Sequence, residues 1–338
     1  MKYAAIRAGL ELVALTGAGR LFPAAAGRGV VFTLHHVRPR REQGFAPNGH
    51  LSVTPEFLAD AAETALAEGL VPVVLEDLPV VLADRTDSRR FVCFTFDDGY
   101  RNNAEHALPV LRRYGIPATI FITAGFVERT RSMWWETAEA LSLLPTPLSI
   151  DLGDGPMNLP LQSKADRINA FVRIARFVAT AEEDHAVDVI DAAARARGVD
   201  PLAIVDRLVM SATELRTLAA DPLVRFGAHT LSHVNLRRIG EERLVRELKC
   251  SADAVERYVG YRPRAFAYPY GFPGAVGERE ERAAANAGFE VAVTTQPGML
   301  CPAALKNVTA LKRVSLNGYY QKPRYVRSLI SGLPFKFA

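Results

Sequence analysis

Phe91-Val92-Cys93-Phe94-Thr95-Phe96-Asp97-Asp98-Gly99-Tyr100 is the stretch on which the reading of this chain turns. Phe91 to Phe96 is apolar on both faces, as a buried parallel strand is. Two carboxylates stand at its end, followed by a glycine. Side chains alternate along a strand, but where the chain turns both acids can reach one site. The C-terminal ends of strands are where α/β barrels carry their chemistry. Two adjacent carboxylates do not both ionise comfortably without a cation. One could therefore bind a metal while the other acts as a base. Asp-Asp-Gly is also ordinary turn chemistry, so the stretch alone leaves both readings open.

Outward from it, short apolar runs alternate with helical patterns, which favours a parallel α/β sheet or barrel. Strands are predicted at Gly29–Val37, Val71–Leu75, Phe91–Phe96, Ala118–Thr123, Leu223–Gly227, Ala265–Tyr268, Phe289–Thr294 and Leu311–Leu316. Thr54-Pro55-Glu56 opens a helix with a capping hydroxyl and a proline in the first turn. Other helices are expected at Asn103–Tyr114, Ser211–Ala220, and about 240–259 and 277–287. Between about 133 and 210 the rhythm breaks into a possible hairpin near Gly153 and Gly155 and several helical stretches. The expected fold is a distorted (β/α) barrel of seven to eight strands over residues 29–318, with a mainly helical insertion at about 133–210. An amphipathic segment, 1–28, precedes it, and a basic, aromatic tail, 319–338, follows.

A second motif, His229-Thr230-Leu231-Ser232-His233, follows another apolar strand. Two histidines four apart can face one ion if the chain turns helical there; the plain alternative is two loop histidines. Acidic pairs also occur in phosphate-accepting receiver domains, so neither motif decides alone. Together they supply Asp98, His229 and His233 as three ligands and leave positions open for water and substrate, a catalytic arrangement.

With both motifs and Phe266-Ala267-Tyr268-Pro269-Tyr270-Gly271, the sequence resembles the polysaccharide deacetylases, carbohydrate esterase family 4, over roughly residues 30–125 and 211–316. The resemblance implies Asp97 as general base and a divalent metal, usually zinc, on Asp98, His229 and His233. It also implies the Tyr270 amide as an oxyanion donor. Two features depart from the family pattern. The third motif's arginine is replaced by Ala267, and the last strand, Leu311-Lys312-Arg313-Val314-Ser315-Leu316, lacks the usual histidine acid. Arg313 is one candidate for the missing cation; Arg264 is another, but precedes its strand. His35, in the strand end His35-His36-Val37, is the candidate acid, with His36 facing the other way. Trp134-Trp135-Glu136 could wall a sugar site or pack as core.

Composition narrows the rest. With 41 basic and 37 acidic residues the net charge is +4, which does not point to nucleic acid. Three scattered cysteines exclude a disulfide framework and a cysteine zinc site. Glu11 interrupts the N-terminal apolar run, against a signal peptide, and no run is long enough for a transmembrane helix. The location expected is cytoplasmic or peripheral at the inner membrane face. From Lys312 onward there are six basic residues, no acidic one and several aromatics including Phe335 and Phe337. That segment reads as a solvated tail or as a contact for an anionic membrane surface. The substrate implied is an acetylated amino-sugar glycan or a lipid-linked saccharide. Removal of formyl groups or opening of a cyclic amide uses the same logic. A non-catalytic sugar-binding protein on a degenerate deacetylase fold is the reading from another class.

Overall fold

The apolar runs become parallel strands because each is buried on both faces and needs cover inside and outside the sheet. The computed structural model describes residues 2–40, 44–84 and 86–336. Its main sheet contains β1 (Gly29–Leu34), β2 (Leu70–Pro72), β3 (Arg90–Phe96), β4 (Ala118–Ile122), β5 (Val224–Ala228), β6 (Ala265–Ala267), β7 (Val291–Val293) and β8 (Val314–Ser315). The neighbour order is β7-β6-β5-β4-β3-β1-β8, and β2 pairs with the first half of β3. Val293 of β7 meets Leu311, just ahead of β8, through a single parallel bridge, so the curled sheet closes on itself. This is the expected distorted (β/α) barrel.

Register places the chemistry. Leu34 of β1 lies beside Phe96 of β3, so His35 and Asp97 emerge next to each other. Phe32 lies beside Val314, which sets Arg313 one residue deeper in the ring. Val31, Cys93, Phe121, Ala265, Ala267, Val291, Val293 and Leu311 pack as one apolar cluster. The two alanines keep the walls of that cluster small.

Around the ring lie α1 (Lys2–Thr16), α2 (Pro55–Ala67), α3 (Trp134–Ser142), α4 (Lys164–Thr180), α5 (Glu183–Ala196), α6 (Pro201–Leu208), α7 (Glu241–Val259) and α8 (Pro323–Ile330), among others. The first strand is shorter than predicted. It breaks at His35, and His36–Val37 pairs instead with Ser52–Val53. The break between α3 and α6 holds the predicted hairpin, Leu148–Asp151 against Pro156–Leu159. It also holds α4, which starts at a reciprocal Ser163–Asp166 cap. Leu141, Leu148, Ile174 and Ile190 give this region an apolar core of its own.

The C-terminal segment is not a solvated tail. Tyr325, Val326 and Ile330 of α8 are buried, and Leu10 of α1 packs with Tyr320 and Tyr325. Apolar residues at 325, 326 and 330 fall on one helical face, which can be buried while the arginines stay outside. Phe337 lies outside the described residues. Among those described, no helix is long and apolar enough to cross a membrane.

Candidate active site

Asp97 and Asp98 follow β3, His229 follows β5, Tyr270 lies just beyond β6, His35 follows β1 and Arg313 precedes β8. Except for Arg313, these all lie at the C-terminal end of the barrel. Asp98 (φ 72°), Thr230 (66°), His233 (55°) and Tyr270 (61°) all have left-handed backbone. Each such non-glycine residue costs roughly 1–3 kcal/mol, and such strain collects at functional sites. The His229–His233 segment is therefore not the helical turn expected from its spacing. Two left-handed residues fold it into a tight loop. Loop and helix deliver both imidazoles to one point, but by different backbone routes.

The three groups read as metal ligands do meet. Oδ1 of Asp98 is 3.6 Å from Nε2 of His229 and 3.4 Å from Nε2 of His233. One ligand atom from each lies within 4.8 Å of the others. Tetrahedral ligands about 2.1 Å from zinc stand roughly 3.4 Å apart. Nδ1 of His229 lies 2.6 Å from the Ala267 carbonyl, so Nδ1 carries the hydrogen and Nε2 presents its lone pair. Oδ1 of Asp98 is buried and has no hydrogen-bond partner among the described residues. Burial pushes the Asp98 carboxyl well up, and the charges of Asp97 and Glu136 push it further. Burial, then His229, pushes His233 well down. A cation would satisfy all three groups at once. The donor set thus fits a divalent metal.

Arg313 is wholly buried and grips Asp97 with two parallel bonds, Nη1 to Oδ1 and Nη2 to Oδ2, each 2.7 Å. Its remaining donors reach Thr95 Oγ1 (3.1 Å) and the Thr294 carbonyl (2.9 Å). Burial alone would raise the Asp97 carboxyl; Arg313 outweighs it and holds the group well below the usual carboxylate range. Arg264 pairs with Glu290 at the surface instead. His35 Nε2 is 4.0 Å from Asp97 Oδ2. Burial depresses His35 to about 3, against the pull of Asp97. His36 faces away, is buried, and packs on Tyr100 with centroids 3.6 Å apart.

Several positioning residues escaped the sequence reading. Glu247 of α7 accepts from the amides of Leu231 (2.8 Å) and Ser232 (3.1 Å) and from Ser232 Oγ (2.6 Å), clamping the histidine loop. Nothing local separates it from the other acids of an amphipathic helix. Glu183 of α5 accepts from Tyr270 Oη at 2.6 Å and from the Asn235 amide at 2.9 Å. Asn103 donates to the His35 carbonyl at 2.7 Å. The Asn102-Asn103 pair beside the acidic motif was a visible signal. Trp134 Nε1 donates to Tyr270 Oη and Trp135 Nε1 to Tyr100 Oη, each at 3.0 Å. The tryptophan pair therefore belongs to the site's wall.

A family description titled polysaccharide deacetylase matches residues 84–144 and 178–292, just over half of the chain and on both sides of the hairpin and α4. The chain belongs to the polysaccharide deacetylase family. Its members are hydrolases acting on carbon–nitrogen bonds other than peptide bonds. Solved deacetylases share the fold. IcaB of Ammonifex degensii is 18% identical, with 89% of this chain and 98% of that one covered and a TM-score of 0.54. PplD of Streptococcus pyogenes, solved with acetate, is 17% identical over 86% and 92%, with a TM-score of 0.52. The polysaccharide deacetylase BC0361 of Bacillus cereus is 18% identical over 89% and 68%, with a TM-score of 0.55. YxkH of Bacillus subtilis strain 168, provisionally named a polysaccharide deacetylase, is 51% identical over 39 residues. That is 12% of this chain and only 14% of YxkH. Ala267 stands where the resemblance would put an arginine, and Arg313 reaches the Asp97 carboxylate from the last strand instead.

Proposed function

We propose that the protein removes acetyl groups from amino sugars of a glycan by metal-assisted hydrolysis. The observation that carries this reading is the open Asp98–His229–His233 cluster beside a carboxylate held by a buried arginine. Zinc is the ion that two imidazoles and a carboxylate suit, and when bound its chemistry is to polarise the amide carbonyl and acidify water. Asp97 is the base. Each of its oxygens keeps a lone pair after taking one guanidinium hydrogen, so it can accept the proton of the attacking water. Arg313 keeps that carboxylate ionised at rest. The Tyr270 amide, set by a left-handed backbone, donates to the developing oxyanion. His35, 4.0 Å from Asp97 and neutral at rest, can take the proton that Asp97 accepts from the water and pass it to the leaving amine.

Trp134, Tyr270 and Phe272 line a cavity of about 100 Å³ together with Glu183, Asn235 and Arg238. Aromatic faces with polar edges suit a sugar ring. A lipid-linked saccharide is the alternative carrier of that sugar. The test is acetate release from N-acetylglucosamine oligomers and from lipid-linked amino sugars, after metal removal and after zinc is restored. Release should need metal and fall at least about a hundredfold in Asp97→Asn, the usual scale of a lost general base. Release unaffected by that substitution would sink the mechanism.

A further inference from the structure

We propose that the end of the barrel where α1 meets α8 docks on an anionic lipid bilayer. Charge is the first support. Residues 1–28 hold four basic residues and one acidic, and residues 319–338 hold four basic and none. With +4 for the whole chain, these two segments carry +7 and everything between them −3. The fold brings the two segments together, since Leu10 of α1 packs with Tyr320 and Tyr325.

Exposed apolar side chains collect on the same end. Of the twelve large hydrophobic residues exposed among the described residues, four fall between Leu12 and Phe22, at and just beyond the end of α1. They are Leu12 (64%), Leu15 (76%), Leu21 (76%) and Phe22 (54%). Apolar exposure beside cations marks an interaction surface, and leucine and phenylalanine next to arginine suit the boundary between headgroups and acyl chains.

A cavity of about 460 Å³ opens between the end of α1, the turn after it and α8. Arg20, Arg90, Arg324 and Arg327 line it with Val13 and Ile330. Arg324 and Arg327 are paired with Glu11 and Glu68. Arg20 and Arg90 have no carboxylate partner among the described residues, and Nε of Arg90 is buried without an acceptor. Arg20 is exposed in that lining and open to a headgroup phosphate. A second copy of this chain is disfavoured as the occupant, because two faces of the same sign would be apposed.

Arg90 is the first residue of β3, and Asp97 follows its far end. The docking end and the catalytic end are therefore opposite, about 20 Å apart along the strand. A docked molecule presents its acidic motif to water, away from the lipid, which suits a glycan standing off the surface.

The experiment is co-sedimentation of the full chain with sucrose-loaded vesicles, phosphatidylglycerol–phosphatidylcholine against phosphatidylcholine alone. It reads binding only, so it is independent of the proposed activity. Binding should require the anionic lipid and fall about fivefold for Arg20→Gln, the usual effect of one basic residue at such a surface. The double variant Leu15→Asp, Leu21→Asp should lose it while melting at the wild-type temperature, since both side chains point to solvent. Inorganic phosphate at millimolar concentration should not compete, because it lacks the apolar part. Equal partition onto neutral vesicles, or full binding by the double variant, overturns the proposal. So does a concentration-dependent dimer that the double variant abolishes, without vesicle binding by the wild type.

Discussion

Replacing Arg313 by methionine should both weaken the fold and move the enzyme's pH profile. The substitution keeps most of the volume but leaves Asp97 as a buried carboxylate without its cation. Breaking one side of a buried pair typically costs about 3–5 kcal/mol. Unfolding entropy near 2.1 cal/mol/K per residue gives about 0.7 kcal/mol/K for 338 residues, so the melting temperature should fall by about 4–7 °C. The sign with pH follows from linkage. In the wild type the Asp97 carboxyl is depressed when folded. Its contribution is present above the unfolded value near 4 and is lost as pH falls through the lower folded value. In the variant burial acts alone and raises the folded value, so stability is lost as pH rises. The gap between the two proteins should thus be widest near neutral pH and shrink on acidification. Activity should fall at neutral pH, and its acidic limb should shift upward. Asp97→Asn combined with Arg313→Met should recover stability, because no uncompensated charge remains. Calorimetric melting from pH 4 to 8 and a rate–pH profile measure these effects. A variant melting within about 1 °C of wild type, with the limb unmoved, would refute the role given to the pair.

Glu183→Ala should lower kcat severalfold with little change in KM, and Glu183→Gln should recover most of it, because the carboxylate orients Tyr270 through one hydrogen bond; equal loss in both variants would contradict positioning. Glu247→Ala unclamps the histidine loop and should weaken zinc binding about 10–100-fold, as loss of a ligand-orienting partner does, read by competition with a chromogenic chelator. Chelation of the wild type should lower its melting temperature by about 4 °C relative to a hundredfold excess of zinc over its dissociation constant. Glu76 is buried and burial lifts it to about 7. Its folded value is raised, so stability should decline as pH rises from about 4.5 to 7, and Glu76→Gln should remove that slope and stabilise the protein at pH 8 by on the order of 3 kcal/mol; a slope retained in Glu76→Gln assigns it elsewhere.

The local sequence was enough to place the strands, though not their ends, because runs such as Phe91–Phe96 and Ala118–Ile122 are apolar on both faces and admit little else. It also put Asp97, Asp98, His229 and His233 together as candidates, since each motif directly follows such a run. It could not determine how the histidine loop turns. Spacing of four allows a helix, and the choice of two left-handed residues depends on Glu247, distant in the chain, holding the loop's amides. The sequence favoured Arg313 over Arg264, which precedes its strand, but could not show the register that separates them: one lies at the surface with Glu290, the other one residue below Val314 inside the ring. The basic terminal segment read as solvated, because charge is visible in sequence and the face that Leu10 offers to Tyr325 is not. Asp97 followed by Asp98 was legible as a pair, and the two histidines as partners of Asp98; only the curl and register of the sheet gave Asp97 its arginine.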